Sequence, residues 1–158
     1  MASSLQNLSD YDPNTVPSGK GKKFGIVVAE WNQHITFALM DGCIKTLREN
    51  NVREDDIIIE TVPGTFELPY AAKKIANDNH LAAVVCIGCV IKGETTHNDV
   101  INHSVAQALQ DLNIKMDIPF IFGVLTPNNE EQALDRAGGK YGNKGVEAAV
   151  TALKMAIL

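Results

Sequence analysis

Four apolar runs, separated by segments with helical periodicity, constrain the fold of this chain more than any other sequence feature. In the first separating segment, apolar residues recur at every fourth position, which is typical of a helix with one buried face: Ile35, Leu39, Cys43 and Leu47. Strands that alternate with helices usually pair in parallel, because each helix carries the chain back to the end of the sheet where the preceding strand began. The sequence therefore predicts an α/β protein with four strands, at 24–29, 56–62, 81–89 and 119–125.

Helical periodicity also follows the later strands. It predicts helices over about 67–77, 100–112, 129–137 and 143–157, with two glycines separating the last two helices. The third strand is apolar throughout, which is typical of a central strand covered on both faces. We therefore expect a flavodoxin-like three-layer sandwich, with a four-stranded parallel sheet and helices on both faces. Sheets of this kind bind ligands outside the carboxyl ends of their strands.

The first 22 residues differ in composition from the rest of the chain. They are rich in Ser, Asn, Asp, Pro and Gly, and they show no sustained periodicity. We interpret residues 1–22 as an arm that is flexible or docks onto a neighbour, and residues 23–158 as one domain. A chain of 158 residues has room for one domain with a substantial core.

The charge and hydropathy of the chain limit its partners. The net charge is −5 and the 14 lysines and arginines are scattered, so no basic patch for nucleic acid is expected. The longest apolar run, 81–91, has about half the length that a membrane-spanning helix needs. The first basic residue is Lys20, which is not typical of a signal or transit peptide. We expect a cytoplasmic protein with no nucleic-acid or membrane partner.

The three cysteines are interpreted as reduced residues of the core. An odd number does not suggest a disulfide framework, and a chain of this length does not require one. Cys86 and Cys89 match a Cys-x-x-Cys pattern, but residues three apart in a strand face opposite sides of a sheet. Because there is no second pair and no nearby histidine, we expect no metal site.

Polar loops follow the predicted strands, and the third loop carries most of the reactive side chains. Residues 92–97 leave an apolar strand and enter a helix, so backbone N–H groups and the positive end of the helix could receive an anion. His97 begins that helix, and an imidazole can donate and accept protons near neutral pH. Taken alone, a histidine in a polar loop is more often a solvated residue or a helix cap. His34, His80 and His103 are interpreted as surface or helix residues.

Three other residues near the strand ends have two interpretations each. Trp31, the only tryptophan, is placed to stack on a planar ring, or it lies at the rim of the core. Glu67 begins a helix and either contacts a ligand or interacts favourably with the helix dipole. Arg136 follows two glutamates and either balances their charge or clamps a phosphate group.

Several longer motifs occur in a fixed order along the chain. They are PGTFELP at 63–69, GCVIKGETTH at 88–97, PFIFGVLT at 119–126, and the segments 135–138 and 143–149. From residue 24 to its end, the chain resembles the lumazine synthase family. The resemblance implies a transferase that condenses 5-amino-6-(D-ribitylamino)uracil with 3,4-dihydroxy-2-butanone 4-phosphate to 6,7-dimethyl-8-ribityllumazine, the penultimate step of riboflavin biosynthesis. It implies neither a metal nor an organic cofactor.

The resemblance also implies a role for each matching residue, with His97 as the catalytic acid/base. The residues expected to bind the pyrimidine and its ribityl chain are Trp31, Thr65, Phe66, Glu67, Cys89, Val90, Ile91, Phe122 and Lys144. Those expected to bind the phosphate group are Glu94, Thr95 and Arg136. Two positions depart from the family: Lys92 stands where arginine is usual and keeps its charge, whereas Asn98 replaces an aromatic ring that would pack beside His97.

Members of this family form pentamers, and in some of them twelve pentamers form a hollow icosahedral shell. The resemblance implies active sites between subunits, with Phe122 supplied by a neighbour, and riboflavin synthase as a candidate partner. The segment 138–142 is short, which favours the shell over the free pentamer. The arm is expected to be able to add a strand to a neighbour's sheet.

A different interpretation is a non-catalytic flavin- or ligand-binding module of flavodoxin-like fold. Electron carriers of that fold bind the flavin phosphate in a loop rich in Ser and Thr after the first strand, whereas residues 30–33 read Glu-Trp-Asn-Gln. A signalling receiver domain requires aspartates at the strand ends, and Asp55 and Asp56 precede a strand instead. A shell protein without activity is disfavoured because His97 and Arg136 are both present.

Overall fold

A parallel four-stranded sheet lies at the centre of the computed structural model, which describes residues 7–158. Its strands are β1 (Phe24–Ala29), β2 (Ile57–Val62), β3 (Ala83–Cys89) and β4 (Phe120–Leu125). Their spatial order is β2–β1–β3–β4, and every neighbouring pair is parallel. The predicted α/β fold is confirmed, and β3 is buried at every position, as its continuous apolar run predicted.

Helices and a small hairpin connect and follow these strands. The α-helices of residues 7–158 are α1 (Gln33–Glu49), α2 (Leu68–Asp78), α3 (His97–Met116), α4 (Glu130–Leu134) and α5 (Lys144–Met155). The hairpin consists of β5 (Ala137–Gly139) and β6 (Gly142–Asn143), and short 3₁₀ helices lie at Pro13–Thr15, Glu54–Asp56 and Thr65–Glu67.

The prediction of a helix over 129–137 was wrong for its last three residues, 135–137. α4 ends at Leu134, and β5 pairs antiparallel with β6 only a few residues later. The reason is local, because Gly138 (φ 113°) and Gly142 (φ 76°) adopt left-handed backbone conformations that glycine tolerates without steric cost. Arg136 therefore stands directly before a tight hairpin, and Tyr141 lies in its turn.

Helices cover both faces of the sheet, which gives the predicted three-layer sandwich. Along β1, Ile26 and Val28 belong to a core shared with α1 and α5, whereas Val27 and Ala29 belong to a core shared with α2 and α3. The predicted core face of α1 is fully buried at Ile35, Leu39, Cys43 and Leu47. The alternation of side chains along each strand thus supplies two separate cores.

The three cysteines are free and buried. Cys86 lies in the core on the α2 side and Cys89 in the core on the α1 side, which confirms their placement on opposite faces of the sheet. Burial raises the pKa of Cys43 and of Cys89 to about 12, so both thiols are protonated at neutral pH. Within residues 7–158, no three His, Cys, Asp or Glu side chains converge to hold a metal ion.

The predicted arm, described from residue 7 onward, lies against the same chain. The Leu8 amide donates to the Tyr141 carbonyl at 2.7 Å, and the Asn143 amide donates to the Ser9 hydroxyl at 2.9 Å. These bonds attach the arm to the β5–β6 hairpin. The first six residues of the arm lie outside the described residues. In the described part of the chain, no helix is long and apolar enough to cross a membrane.

α5 packs directly on α1 at Gly145. A Cβ atom at this position would overlap the backbone carbonyl oxygen of Leu39, which cannot move unless α1 moves. We expect Gly145→Ala to lower the free energy of unfolding by about 1–3 kcal/mol, because overpacking forces backbone shifts. The urea concentration at the unfolding midpoint measures this loss. Gly93→Ala is the matched control, since its added Cβ meets no atom within 4 Å, and equal midpoints for the two variants would contradict the prediction.

Candidate active site

A cavity of about 460 Å³ opens at the carboxyl ends of β1, β2 and β3, the edge at which sheets of this kind bind ligands. It is formed by the loops that follow these strands and by the first turn of α3. Most of the predicted site residues line it: Trp31, Thr65, Phe66, Glu67, Cys89, Val90, Ile91, Thr95 and His97. The remaining lining residues are Asn32, Gly64, Gly93, Asn98 and Ile101.

The loop after β1 presents the indole of Trp31 to the cavity. The side chain is 74% exposed and belongs to neither core. Its backbone is held in place, because the Trp31 amide donates to the Pro63 carbonyl at 3.0 Å. An exposed ring on a fixed backbone offers a flat apolar face to a planar ligand.

Asn32 joins two of the loops, although sequence reasoning assigned it no role. Its backbone is left-handed (φ 61°, ψ 42°), a conformation that asparagine adopts more readily than most residues. Its Nδ2 donates to the Cys89 carbonyl at 3.0 Å. The loop that carries Trp31 is therefore tied to the end of β3. The sequence shows only that an asparagine follows the first strand. It does not indicate that this side chain bonds Cys89, which is distant in the sequence.

The loop after β2 can approach β3 closely because residue 88 of β3 is a glycine and has no side chain. A Cβ atom at Gly88 would lie 2.6 Å from Oγ1 of Thr65, which is buried and begins a 3₁₀ helix. Phe66 and Glu67 follow on that helix, and both are exposed to the cavity. The Glu67 side chain forms no cap hydrogen bond with α2, so its carboxylate is available to a ligand.

The backbone after β3 is fixed by the loop after β4. The Val90 amide donates to the Leu125 carbonyl at 2.9 Å, and the Lys92 amide donates to the Pro127 carbonyl at 2.9 Å. Residues 89–91 thus present a rigid backbone edge to the cavity. The thiol of Cys89 is not a nucleophile here, since its raised pKa keeps it protonated.

His97 is the first residue of α3 and is exposed at the cavity. Its backbone amide donates to Oγ1 of Thr95 at 3.4 Å, and no side chain within residues 7–158 forms a hydrogen bond with its imidazole. Asn98, which departs from the family pattern, is half-buried and donates through Nδ2 to Oδ1 of Asp99 at 2.8 Å. The imidazole is therefore free to exchange protons with a ligand.

The start of α3 is suited to an anion. α3 has 20 residues, and its N-cap residue Thr96 forms no side-chain cap hydrogen bond. Backbone N–H groups in the first turn of a helix are left without helical partners, and the helix dipole adds positive potential there. Glu94 is exposed next to this turn but does not line the cavity.

Three predicted site residues lie away from this cavity. Phe122 and Lys144 line a second cavity of about 590 Å³ between the end of α3, β4 and α5. Nζ of Lys144 lies 2.9 Å from Oε1 of Glu147, and both side chains are largely buried. Arg136 lines neither cavity and donates through Nη1 to the Gln132 carbonyl at 3.0 Å. One chain therefore brings together only part of the predicted site.

Comparison with known proteins agrees with the motifs. The family model for 6,7-dimethyl-8-ribityllumazine synthase matches residues 21–158. A protein of that name from Porphyromonas gingivalis is 54% identical over 156 residues, covering 99% of this chain and 97% of the relative. Another from Flavobacterium johnsoniae is 51% identical over 158 residues, covering 100% of this chain and 83% of the relative. The chain belongs to the 6,7-dimethyl-8-ribityllumazine synthase family.

Proposed function

We propose that the protein condenses 5-amino-6-(D-ribitylamino)uracil with 3,4-dihydroxy-2-butanone 4-phosphate to give 6,7-dimethyl-8-ribityllumazine, the penultimate step of riboflavin biosynthesis. One observation carries this proposal: in a chain of this family, a single cavity brings an exposed indole, a free carboxylate, a fixed backbone edge and an unpaired imidazole together. Family membership supports an enzyme and gives no support to the non-catalytic flavin- or ligand-binding module.

The pyrimidine substrate fits the side of the cavity formed by the first two loops. We propose that its ring stacks on Trp31 and that its edge bonds the backbone of residues 89–91. Its ribityl chain then lies along residues 65–67, where the Glu67 carboxylate accepts hydrogen bonds from hydroxyl groups. The exposure of the indole and of Glu67 supports this placement.

The phosphate substrate fits the other side of the cavity. We propose that its phosphate group is bound at the start of α3 by the backbone of Glu94 and Thr95, with Arg136 completing the site. The N–H groups at this helix terminus and the openness around Gly93 support this placement. A guanidinium suits the role because its planar N–H groups bind phosphate in a bidentate manner.

The reaction needs several proton transfers and little other chemistry from the protein. The amine of the pyrimidine attacks the ketone, and loss of water gives an imine. Removal of a proton then expels phosphate and leaves an enol, which tautomerises before the ring closes with loss of a second water. His97 is positioned to relay these protons, while binding both substrates in one cavity removes much of the entropic barrier.

We propose that a neighbouring subunit completes each site. Phe122 and Lys144 lie at a second cavity, and Arg136 lies at neither, which supports sites between subunits; membership of the family supports a homopentamer as the assembly. The tight β5–β6 hairpin, with its short turn, supports a sixty-subunit shell rather than a free pentamer. Riboflavin synthase is the candidate partner of such a shell. We place the protein in the cytoplasm, where free thiols stay reduced.

The proposal is tested by mixing the purified protein with both substrates. We expect lumazine absorbance to appear together with inorganic phosphate, in equal amounts and faster than in a reaction without protein. The control is the same protein with the phosphate substrate omitted. A rate no higher than the spontaneous one would reject the enzyme assignment, and a yellow protein that is reduced reversibly would favour the flavin-binding alternative.

A further inference from the structure

Arg136 is held by two uncharged groups of its own chain. Nη1 donates to the Gln132 carbonyl at 3.0 Å, and the guanidinium carbon lies 4.8 Å from the ring centroid of Tyr141. None of the ion pairs among residues 7–158 involves Arg136. The guanidinium is therefore oriented without being neutralised, and its charge remains available to an anion.

The Tyr141 ring is carried by a hairpin whose backbone is fixed on several sides. The Tyr141 amide donates to the Asp135 carbonyl at 2.8 Å, and its carbonyl accepts from the Leu8 amide at 2.7 Å. The Lys144 amide donates to the Arg136 carbonyl at 2.9 Å. These bonds join the residues on both sides of the hairpin turn, so the backbones that carry the ring and the guanidinium are held relative to each other.

The same ring is close to a second cation. Nζ of Lys140 lies 5.1 Å from the ring centroid of Tyr141. The negative face of an aromatic ring attracts cations, and both the Arg136 guanidinium and the Lys140 ammonium lie at a distance where this attraction acts. Two cations therefore lie beside one ring in a protein whose net charge is −5.

We propose that Tyr141 is a positioning residue for phosphate binding, because its ring holds the Arg136 guanidinium in the orientation that receives the phosphate group. This inference rests on the proposed function, in which Arg136 binds phosphate. An unrestrained arginine side chain loses conformational entropy when it binds a ligand. Restraining the side chain before binding reduces this entropic cost. An aromatic ring suits this role better than a carboxylate, which would neutralise the cation and occupy its N–H groups.

Three variants of Tyr141 in the full chain test the inference. Tyr141→Ala is expected to raise the KM of the phosphate substrate, and the inhibition constant of inorganic phosphate, roughly three- to tenfold. The KM of the pyrimidine should change less than about twofold, since that substrate carries no phosphate group for Arg136 to bind. Tyr141→Phe keeps the ring face and should match the unaltered protein. Tyr141→Leu keeps the bulk without the ring face and should behave like Tyr141→Ala.

A merely structural role would give a different pattern. Leucine would then restore function, and both KM values would move together with the urea midpoint of unfolding. Tyr70→Ala is the matched control, because it removes an exposed tyrosine of α2. The inference would be overturned if Tyr141→Phe raised the KM of the phosphate substrate as much as Tyr141→Ala does. It would also be overturned if Tyr141→Leu had the same KM as the unaltered protein.

The double variant identifies the residue through which Tyr141 acts. In an Arg136→Ala background, Tyr141→Ala should have no further effect on the phosphate constants. An effect of unchanged size there would overturn the inference. If Arg136→Ala alone leaves the phosphate constants unchanged, the proposed phosphate role of Arg136 fails, and the inference fails with it. If Arg136→Ala raises them and Tyr141→Ala does not, the inference alone fails.

Discussion

Replacing His97 with alanine is expected to lower kcat roughly 100-fold while leaving measurable catalysis, because acid–base groups contribute about 10²–10⁴-fold and this loss lies at the low end. The loss is limited since the cavity still brings the two substrates together, and proximity accounts for much of the rate. The imidazole lies at the cavity, and no side chain within residues 7–158 forms a hydrogen bond with it. Under the proposed role, the variant therefore removes a proton-transfer group and no side-chain contact that supports the fold.

The measurement is kcat with both substrates saturating, followed by lumazine absorbance and phosphate release. His103→Ala is the matched control, because it removes an exposed histidine from the same helix. Added imidazole should restore part of the activity of His97→Ala, since the small base can enter the space left by the side chain. Equal losses in the two alanine variants, or no response to imidazole, would contradict a proton relay at His97.

The sheet could be predicted because buried parallel strands appear in the sequence as continuous apolar runs. β3 is covered on both faces, so every residue from 83 to 89 is buried, and the apolar run has no polar break. The spacing of the buried residues of α1 likewise follows from one helix face. Strand order could not be read in this way, since it depends on which strands pair in space.

The hairpin after α4 could not be predicted from local periodicity. Its strands depend on positive φ angles at Gly138 and Gly142, whereas the adjacent glycines 138 and 139 are equally consistent with a simple break between helices. Contacts from distant residues also stabilise it, including the bond between Leu8 and Tyr141. The propensities of neighbouring residues carry no information about such long-range contacts.

The loops after β1, β2 and β3 could be assigned to a site because parallel strands place their carboxyl ends at one edge. The resemblance then added residues from other parts of the chain. Sequence reasoning could not place Phe122, Lys144 and Arg136 relative to that edge, and the structure puts them elsewhere on the same chain. It also could not detect that Asn32 holds two loops together. Both cases concern distances in space rather than residue type.

Arg136→Ala is expected to raise the KM of the phosphate substrate about 10- to 100-fold, in line with the roughly 1.5–3 kcal/mol that a hydrogen bond to a charged group contributes. The KM of the pyrimidine should change little, because this substrate carries no phosphate group for the guanidinium to bind. Arg136→Lys keeps the charge but loses the planar pair of N–H groups, so an intermediate value is expected. Arg48→Ala is the matched control, since it removes an exposed arginine of α1. Equal changes in both KM values would reject the phosphate role.

Mixing the two impaired variants, assayed with the phosphate substrate well below its KM, shows which subunit supplies the arginine. If each site takes His97 from one chain and Arg136 from its neighbour, random mixtures of His97→Ala and Arg136→Ala subunits contain intact sites, about a quarter of the total. Activity should then rise well above that of either variant after joint unfolding and refolding. If both residues came from one chain, no intact site would form and the mixture would stay at the average of the two variants. Recovery of activity is the result expected from a chain in which Arg136 lies outside the His97 cavity.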